Sequence, residues 1–287
     1  MAPTEEAGMI IDVHTHIFPR RIRRDREAYF GAEPDFELLY RSPKSRLIGA
    51  AELLDRMDAD GVDKAVVFGF PWLVSDTFKA HNDYILEAVQ RFPDRLIGLG
   101  CFDAASPEAE FETERCLSAG LAGIGELAFY RSGIDADARD RLVPVMACCR
   151  ARQAPVMIHT NEPVGHSYAG KTPNTLAQIE ALLSRFPDNR IILAHWGAGL
   201  FFYSLMKKGV RETLRNAYFD TAASPYLYAP DIYPLAVKLI GVGKILFGSD
   251  YPLLAPARYF NELRNCGLNQ NEIDAICGQN AARLFGL

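Results

Sequence analysis

Ile10-Ile11-Asp12-Val13-His14-Thr15-His16 is a short apolar run that ends on two histidines one residue apart. The same device recurs three times. Pro155-Val156-Met157-Ile158 closes on His159, Ile191-Ile192-Leu193-Ala194 on His195, and Ile245-Leu246-Phe247-Gly248-Ser249 on Asp250. Runs this short, nearly continuous in β-branched and leucine side chains, mark strands covered on both faces, as in parallel sheets. A polar side chain at a buried strand end is costly unless it has a partner. Four of the chain's six histidines are placed this way. A divalent metal is the partner that would use all of these groups at once.

Working outward, strand-like runs fall near 9–14, 63–68, 95–101, 122–127, 155–159, 190–195, 217–220 and 244–249. Amphipathic segments separate them, near 50–60, 77–92, 107–119, 138–153, 172–186, 201–214 and 231–241. Two further helices are expected near 255–266 and 270–284. Phe92-Pro93-Asp94 and Phe186-Pro187-Asp188 each stop a helix with proline before the next strand. Eight strand–helix units in 287 residues point to an α/β fold, a single-domain (β/α)8 TIM barrel over residues 9–287. A doubly wound open sheet is the alternative. The barrel is preferred because only closure sets the first strand beside the eighth, so that ligands on strands one, five, six and eight converge. The connection from about Ile17 to Ile48 is too long for a plain barrel loop and reads as an insertion after strand 1. Residues 1–8 are polar and acidic, without the apolar stretch of a signal peptide, and are expected to be a disordered extension.

Composition narrows the function. Hydrophobic residues are 49% of the chain, charged residues 23%, and the net charge is −5, so neither a nucleic-acid surface nor a membrane span is expected. The six cysteines show no C-x-x-C spacing, which fits reduced thiols and a cytoplasmic setting rather than a disulfide framework. The expected partner is a small-molecule substrate, with a homodimer or larger homo-oligomer as a further expectation.

His-x-His on a strand places both rings on one face. With His159 and Asp250 the donors suit zinc foremost, and also manganese, iron, cobalt or nickel, in one or two copies. A metal lowers the pKa of bound water to about 7, and Asp250 is the natural group to take its proton.

The stretches Asp12-Val13-His14-Thr15-His16, Ile158-His159, Leu193-Ala194-His195-Trp196-Gly197-Ala198-Gly199, Phe247-Gly248-Ser249-Asp250-Tyr251-Pro252 and Asn280-Ala281-Ala282-Arg283-Leu284-Phe285 carry a resemblance. In order and spacing the chain resembles the amidohydrolase superfamily, and within it the group that includes aminocarboxymuconate-semialdehyde decarboxylase. The resemblance implies that His14, His16, His159 and Asp250 bind metal. It implies that His195 either binds a second metal or acts on substrate or water. Glu126 ends the fourth strand, where many binuclear members carry a carboxylated lysine. Its placement resembles the glutamate arrangement of TatD-like hydrolases, which implies a bridging ligand. The plainer alternative is that Glu126 caps the next element or pairs with Arg131.

The main expectation is therefore a metal-dependent hydrolase of a small amide, lactone or ester, with Asp250 and His195 catalytic. The alternative is a non-oxidative decarboxylase of a small aromatic or unsaturated carboxylic acid. Loops beyond the strand ends should shape the pocket, with His166, Tyr168, Trp72 and Arg46 as substrate contacts. His81 matches no ligand position and is expected to be structural.

Overall fold

The computed structural model describes residues 8–206 and 209–287. The expected extension at residues 1–8 lies, apart from Gly8, outside the described residues. Eight strands follow one another: β1 (Ile11–His16), β2 (Lys64–Phe68), β3 (Leu96–Gly100), β4 (Gly123–Leu127), β5 (Val156–Ile158), β6 (Ile191–Leu193), β7 (Ala217–Asp220) and β8 (Ile245–Leu246). Each pairs in parallel with the next. The ring closes through backbone bonds at the far end of β8. Val13 N donates to Phe247 O (2.8 Å), Asp250 N to His14 O (2.9 Å) and His16 N to Tyr251 O (2.9 Å). These bonds exclude the open sheet, in which the first and last strands would not meet.

Two apolar layers form the core. One fills the barrel, with Ile11, Val13, Phe68, Met157 and Ile192 packed above Ala281 and Leu284 of the C-terminal helix. The other lies between the sheet and the surrounding helices. No helix among the described residues is long and apolar enough to cross a membrane, and the six cysteines are unpaired.

The insertion after β1 contains two short helices, Arg20–Arg24 and Pro34–Tyr40. It is pinned by buried Glu33, which accepts the backbone N–H groups of Leu73 (2.8 Å) and Val74 (2.9 Å). Two expected helices differ. The segment near 138–153 is split into Ala136–Arg141 and Val143–Ala151, with proline at the start of the second, where its missing N–H is harmless. The segment near 201–214 is replaced by a tight 3₁₀-like stretch, His195–Leu205, and a single turn, Val210–Thr213. Its first residues fall in the left-handed region, with φ near 60° from His195 to Ala198 and 76° at Gly199. Hydrophobic periodicity carries no record of such a turn.

Two buried polar groups tie the strand ends together. Asp12 accepts from the backbone N–H of His14 (3.1 Å) and Ser249 (2.9 Å) and from the Ser249 hydroxyl. Burial pushes its carboxyl up to about 7 against these bonds. His81, on helix Ser75–Arg91, accepts from Trp72 Nε1 at Nδ1 (2.8 Å) and donates from Nε2 to Ile17 O (2.7 Å). It is structural, as expected.

Burial pushes the His81 pKa down to about 4, whereas a free histidine titrates near 6.5. Between those values the unfolded chain holds a proton that the folded chain refuses. The stability tied to neutral His81 is therefore complete above pH ~6.5 and is lost as pH falls towards its folded pKa. His81→Gln keeps an acceptor for Trp72 and a donor for Ile17 but cannot titrate. Its unfolding free energy, followed by denaturant titration, should fall less than that of the native chain between pH 6.5 and 4, by on the order of 3 kcal/mol.

Candidate metal centre

The polar strand ends meet at the carboxyl end of the barrel, the face where the loops of this fold build active sites. β1 delivers its pair through a break in register between Asp12 and Thr15. Ile11 and Val13 already face the interior; the irregularity lets His14 and His16, of opposite parity, face it too. Both rings pack edge-on against Phe68, with centroids 5.2 and 4.7 Å away. His195 and Asp250 lie beyond the ends of β6 and β8 with φ of 54° and 63°. A left-handed conformation costs about 1 kcal/mol or more for a non-glycine residue, and it turns both side chains inward.

Three histidines share one arrangement. Each anchors Nδ1 on a protein oxygen: His14 on Asp220 Oδ2 (2.9 Å), His16 on Gly69 O (3.2 Å) and His195 on Ala222 O (3.1 Å). His14 and His16 then turn Nε2 towards the same two carboxylates, and His195 turns its Nε2 towards one of them. His14 Nε2 is 3.6 Å from both Glu126 Oε2 and Asp250 Oδ1. His16 Nε2 lies 3.8 and 3.5 Å from the same atoms, and His195 Nε2 lies 3.5 Å from Glu126 Oε1. These gaps are long for hydrogen bonds. They match the spacing of ~3.4 Å between two ligands of one tetrahedral ion with bonds of ~2.1 Å. The buried His14 Nε2 has no hydrogen-bond partner at all. Two sets of donors lie within 4.8 Å of one another, His14–His16–Asp250 and His14–Glu126–His195. The residues present fit a divalent metal.

His159 is brought to the same place but is held differently. Nδ1 contacts Glu126 Oε1 (2.9 Å) and Nε2 contacts Gly170 O (3.1 Å). Both nitrogens face acceptors, so neither is free to ligate an ion in this arrangement. Glu126 faces four histidines from three strand ends and not Arg131, which is exposed. The electrostatics are those of a carboxylate–imidazole cluster. Burial disfavours charge on Glu126, yet His14 and His159 outweigh it and hold its carboxyl well below the usual range. Asp250 is lowered too, by His16, His14 and His195 against the effect of burial. Burial opposes charge on His14 and His195, and the surrounding carboxylates override it and raise both.

The cluster floors a cavity of about 730 Å³ lined by His16, Glu126, His159, His195 and Asp250 below and by Tyr40, Phe70, Tyr130 and Tyr226 at the walls. His166, Tyr168 and Arg46 line it as the sequence suggested. Trp72 does not, and this corrects the expectation. It is fully buried, packed 4.5 Å from the Phe36 ring, with its N–H spent on His81. The loop after β2 turns inward, and an indole that finds both an apolar bed and an acceptor stays there. Sequence reasoning missed Asp220, Tyr40, Tyr130 and Lys44. Asp220 closes the β7 run Ala217-Tyr218-Phe219-Asp220 just as the other ligand candidates close theirs, and that signal could have found it. Tyr40 ends the helix Pro34–Tyr40 and Tyr130 sits in the loop after β4, and neither carries such a signal. Burial and the nearby carboxylates push both phenols up, so they stay protonated and available as donors.

Comparison with known proteins agrees with this geometry. The Amidohydrolase family model matches residues 11–287, and the chain belongs to that family, an enzyme family with the metal-binding barrel described above. It is 24% identical to 2-amino-3-carboxymuconate-6-semialdehyde decarboxylase of Dictyostelium discoideum, over 96% of this chain and 91% of the relative. It is 23% identical to gamma-resorcylate decarboxylase of Polaromonas sp. (strain JS666 / ATCC BAA-500), over 74% of this chain and 77% of that one. The fold matches 5-carboxyvanillate decarboxylase of Novosphingobium aromaticivorans DSM 12444, complexed with manganese and 4-hydroxy-3-methoxy-5-nitrobenzoic acid, with a TM-score of 0.78, 17% identity and coverage of 99% and 97%. These relatives are decarboxylases, which overturns the expectation of a hydrolase. The donor set alone could not separate the two, because both chemistries use the same imidazoles and carboxylates.

Gly248 shows how tightly the centre is built. A Cβ there would lie 2.9 Å from His14 Cβ, closer than packed carbons approach. Gly248→Ala should therefore displace His14 and lower the metal retained after dialysis, measured by elemental analysis. Gly243→Ala, where a Cβ meets nothing within 4 Å, should leave it unchanged.

Proposed function

We propose that the protein is a metal-dependent, non-oxidative decarboxylase of a small aromatic or unsaturated carboxylic acid. The observation that carries the reading is the joining of a metal-type donor cluster to an aromatic-walled cavity with cations at its edge. Lys44 and Arg46 line that cavity, and neither has an acidic partner among the described residues. Arg46 lies over the Tyr251 ring at 5.6 Å. The relatives matched along most of the chain support the same reading.

His14, His16 and Asp250 would hold one ion, with Glu126 and His159 as further donors beside them. Zinc suits this set, and manganese, present in the 5-carboxyvanillate decarboxylase structure, is equally compatible. When bound, the ion supplies positive charge that holds and polarises substrate oxygens. The aromatic walls orient a planar substrate and exclude water. Arg46 takes a substrate carboxylate, and the Tyr40 and Tyr130 hydroxyls donate to its oxygens. His166 and Tyr168 contact the substrate from the loop after β5. The reaction adds a proton to the carbon that bears the carboxylate. That C–C bond then breaks, its electron pair restores the π system, and CO2 departs. Of the two groups beside the substrate, Asp250 is committed to the ion in this assignment. That leaves His195, at the cavity floor with Nδ1 held on Ala222 O, as the proton donor.

Reconstituted protein, bearing one metal per chain, should release CO2 from a panel of hydroxylated aromatic and unsaturated carboxylic acids. In D2O the product should carry one deuterium at the former carboxyl-bearing carbon. A panel without CO2 release by the metal-loaded chain would contradict the reading. Arg46→Ala should raise KM roughly 10- to 100-fold, the loss expected for one charge-assisted hydrogen bond, with a much smaller change in kcat.

A further inference from the structure

Asp220, the last residue of β7, is fully buried and meets three donors. Oδ2 takes His14 Nδ1 at 2.9 Å. Oδ1 takes the backbone N–H of His195 at 2.8 Å and that of Ala222 at 3.0 Å. We propose that Asp220 is a positioning residue of the metal centre, fixing the tautomer of His14 so that Nε2 offers its lone pair to the ion. The inference rests on the metal-centre reading above and extends it to a residue that cannot itself reach the ion.

The argument is one of donors and acceptors. A neutral imidazole carries one N–H and one lone pair. If His14 carried its proton on Nε2, the Nδ1 lone pair would face a carboxylate oxygen at hydrogen-bond distance, two acceptors in contact with no water to separate them. Only the Nδ1–H tautomer is compatible with Asp220. In that tautomer the lone pair sits on Nε2, the buried atom left without a partner. His16 and His195 are oriented by main-chain carbonyls; among these three rings only His14 is set by a full negative charge, which also makes it the more basic ligand. The second oxygen does separate work. It holds the N–H of His195 at the start of the left-handed turn, so one carboxylate on β7 sets a ring on β1 and the backbone after β6.

Asp220→Asn separates tautomer control from packing. The amide oxygen can keep the bonds to His195 and Ala222. The amide nitrogen then faces His14 Nδ1 as a donor and drives the proton to Nε2, which closes the ligand. The test compares Zn2+ affinity, by chelator competition, in the native chain, Asp220→Asn and His14→Ala, alongside thermal unfolding of the metal-free proteins. The expected result is a loss of about 10- to 100-fold in affinity for Asp220→Asn, a larger loss for His14→Ala, and cooperative unfolding of the metal-free Asn variant, which shows that it is folded. Native affinity in Asp220→Asn with affinity lost in His14→Ala would overturn the inference and leave the metal centre standing. Native affinity in both variants would overturn the metal-centre reading itself. Should Asp220→Asn fail to fold, the 15N spectrum of the zinc-loaded native chain decides. A proton on His14 Nδ1 supports the role, and a proton on Nε2 refutes it.

Discussion

Closure of the barrel between its first and last strands is the constraint on which the site depends. His14 and His16 lie near the start of the chain and Asp250 near its end, and they become neighbours only because β1 pairs with the segment after β8. The pairing is made by main-chain bonds from Val13, His16 and Asp250 and reinforced from within by Asp12, which grips Ser249 by its N–H and its hydroxyl. The bond from Asp250 N to His14 O is part of the same seam. The closure that completes the fold therefore also sets the separation of two ligand candidates.

Strain and polarity are handled together at this end of the barrel. His195, Trp196, Ala198 and Asp250 are non-glycine residues in the left-handed region, an arrangement that persists only where surrounding contacts over-determine it. Those contacts are present. Asp220 holds His195 N, Trp196 donates to Ser224 Oγ at 3.0 Å, and the Tyr259 hydroxyl donates to Ser249 O at 2.7 Å beside Asp250. The outward nitrogens of His14, His16 and His195 are each satisfied by protein oxygens. Within this cluster the buried side-chain atom left without a partner is His14 Nε2, which faces Glu126 and Asp250. A buried lone pair aimed at two carboxylates suits a cation between them better than a structural network, whose members would satisfy one another.

Much of this was legible in the sequence. Short apolar runs that end in His14, His16, His159, His195 and Asp250 gave the barrel and the members of the site, because strand ends of a closed barrel face one mouth. Glu126 was legible for the same reason. The rest follows from geometry that a pattern of residue types does not encode. The register break in β1 decides which parity faces inward, and alternation alone cannot place it. The left-handed turn after β6 looks, by hydrophobic spacing, like the start of a helix. Trp72 sits beside pocket residues in the chain yet turns into the core, since the direction of a loop side chain is set by tertiary contacts. Asp220 ends its strand as the ligand candidates do, but its contact is with the His14 ring. The choice between hydrolase and decarboxylase lay beyond the ligand pattern altogether: a fold and a donor set host many reactions, and the substrate-facing loops decide among them.

The most direct test of the shared-ion account is an anomalous diffraction map from crystals of the protein loaded with manganese, collected at a wavelength where manganese scatters anomalously. The expected result is one peak per chain within coordination distance of His14 Nε2, His16 Nε2 and a carboxylate oxygen of Asp250. A peak elsewhere, or catalytically active crystals with no peak between these residues, would contradict the account.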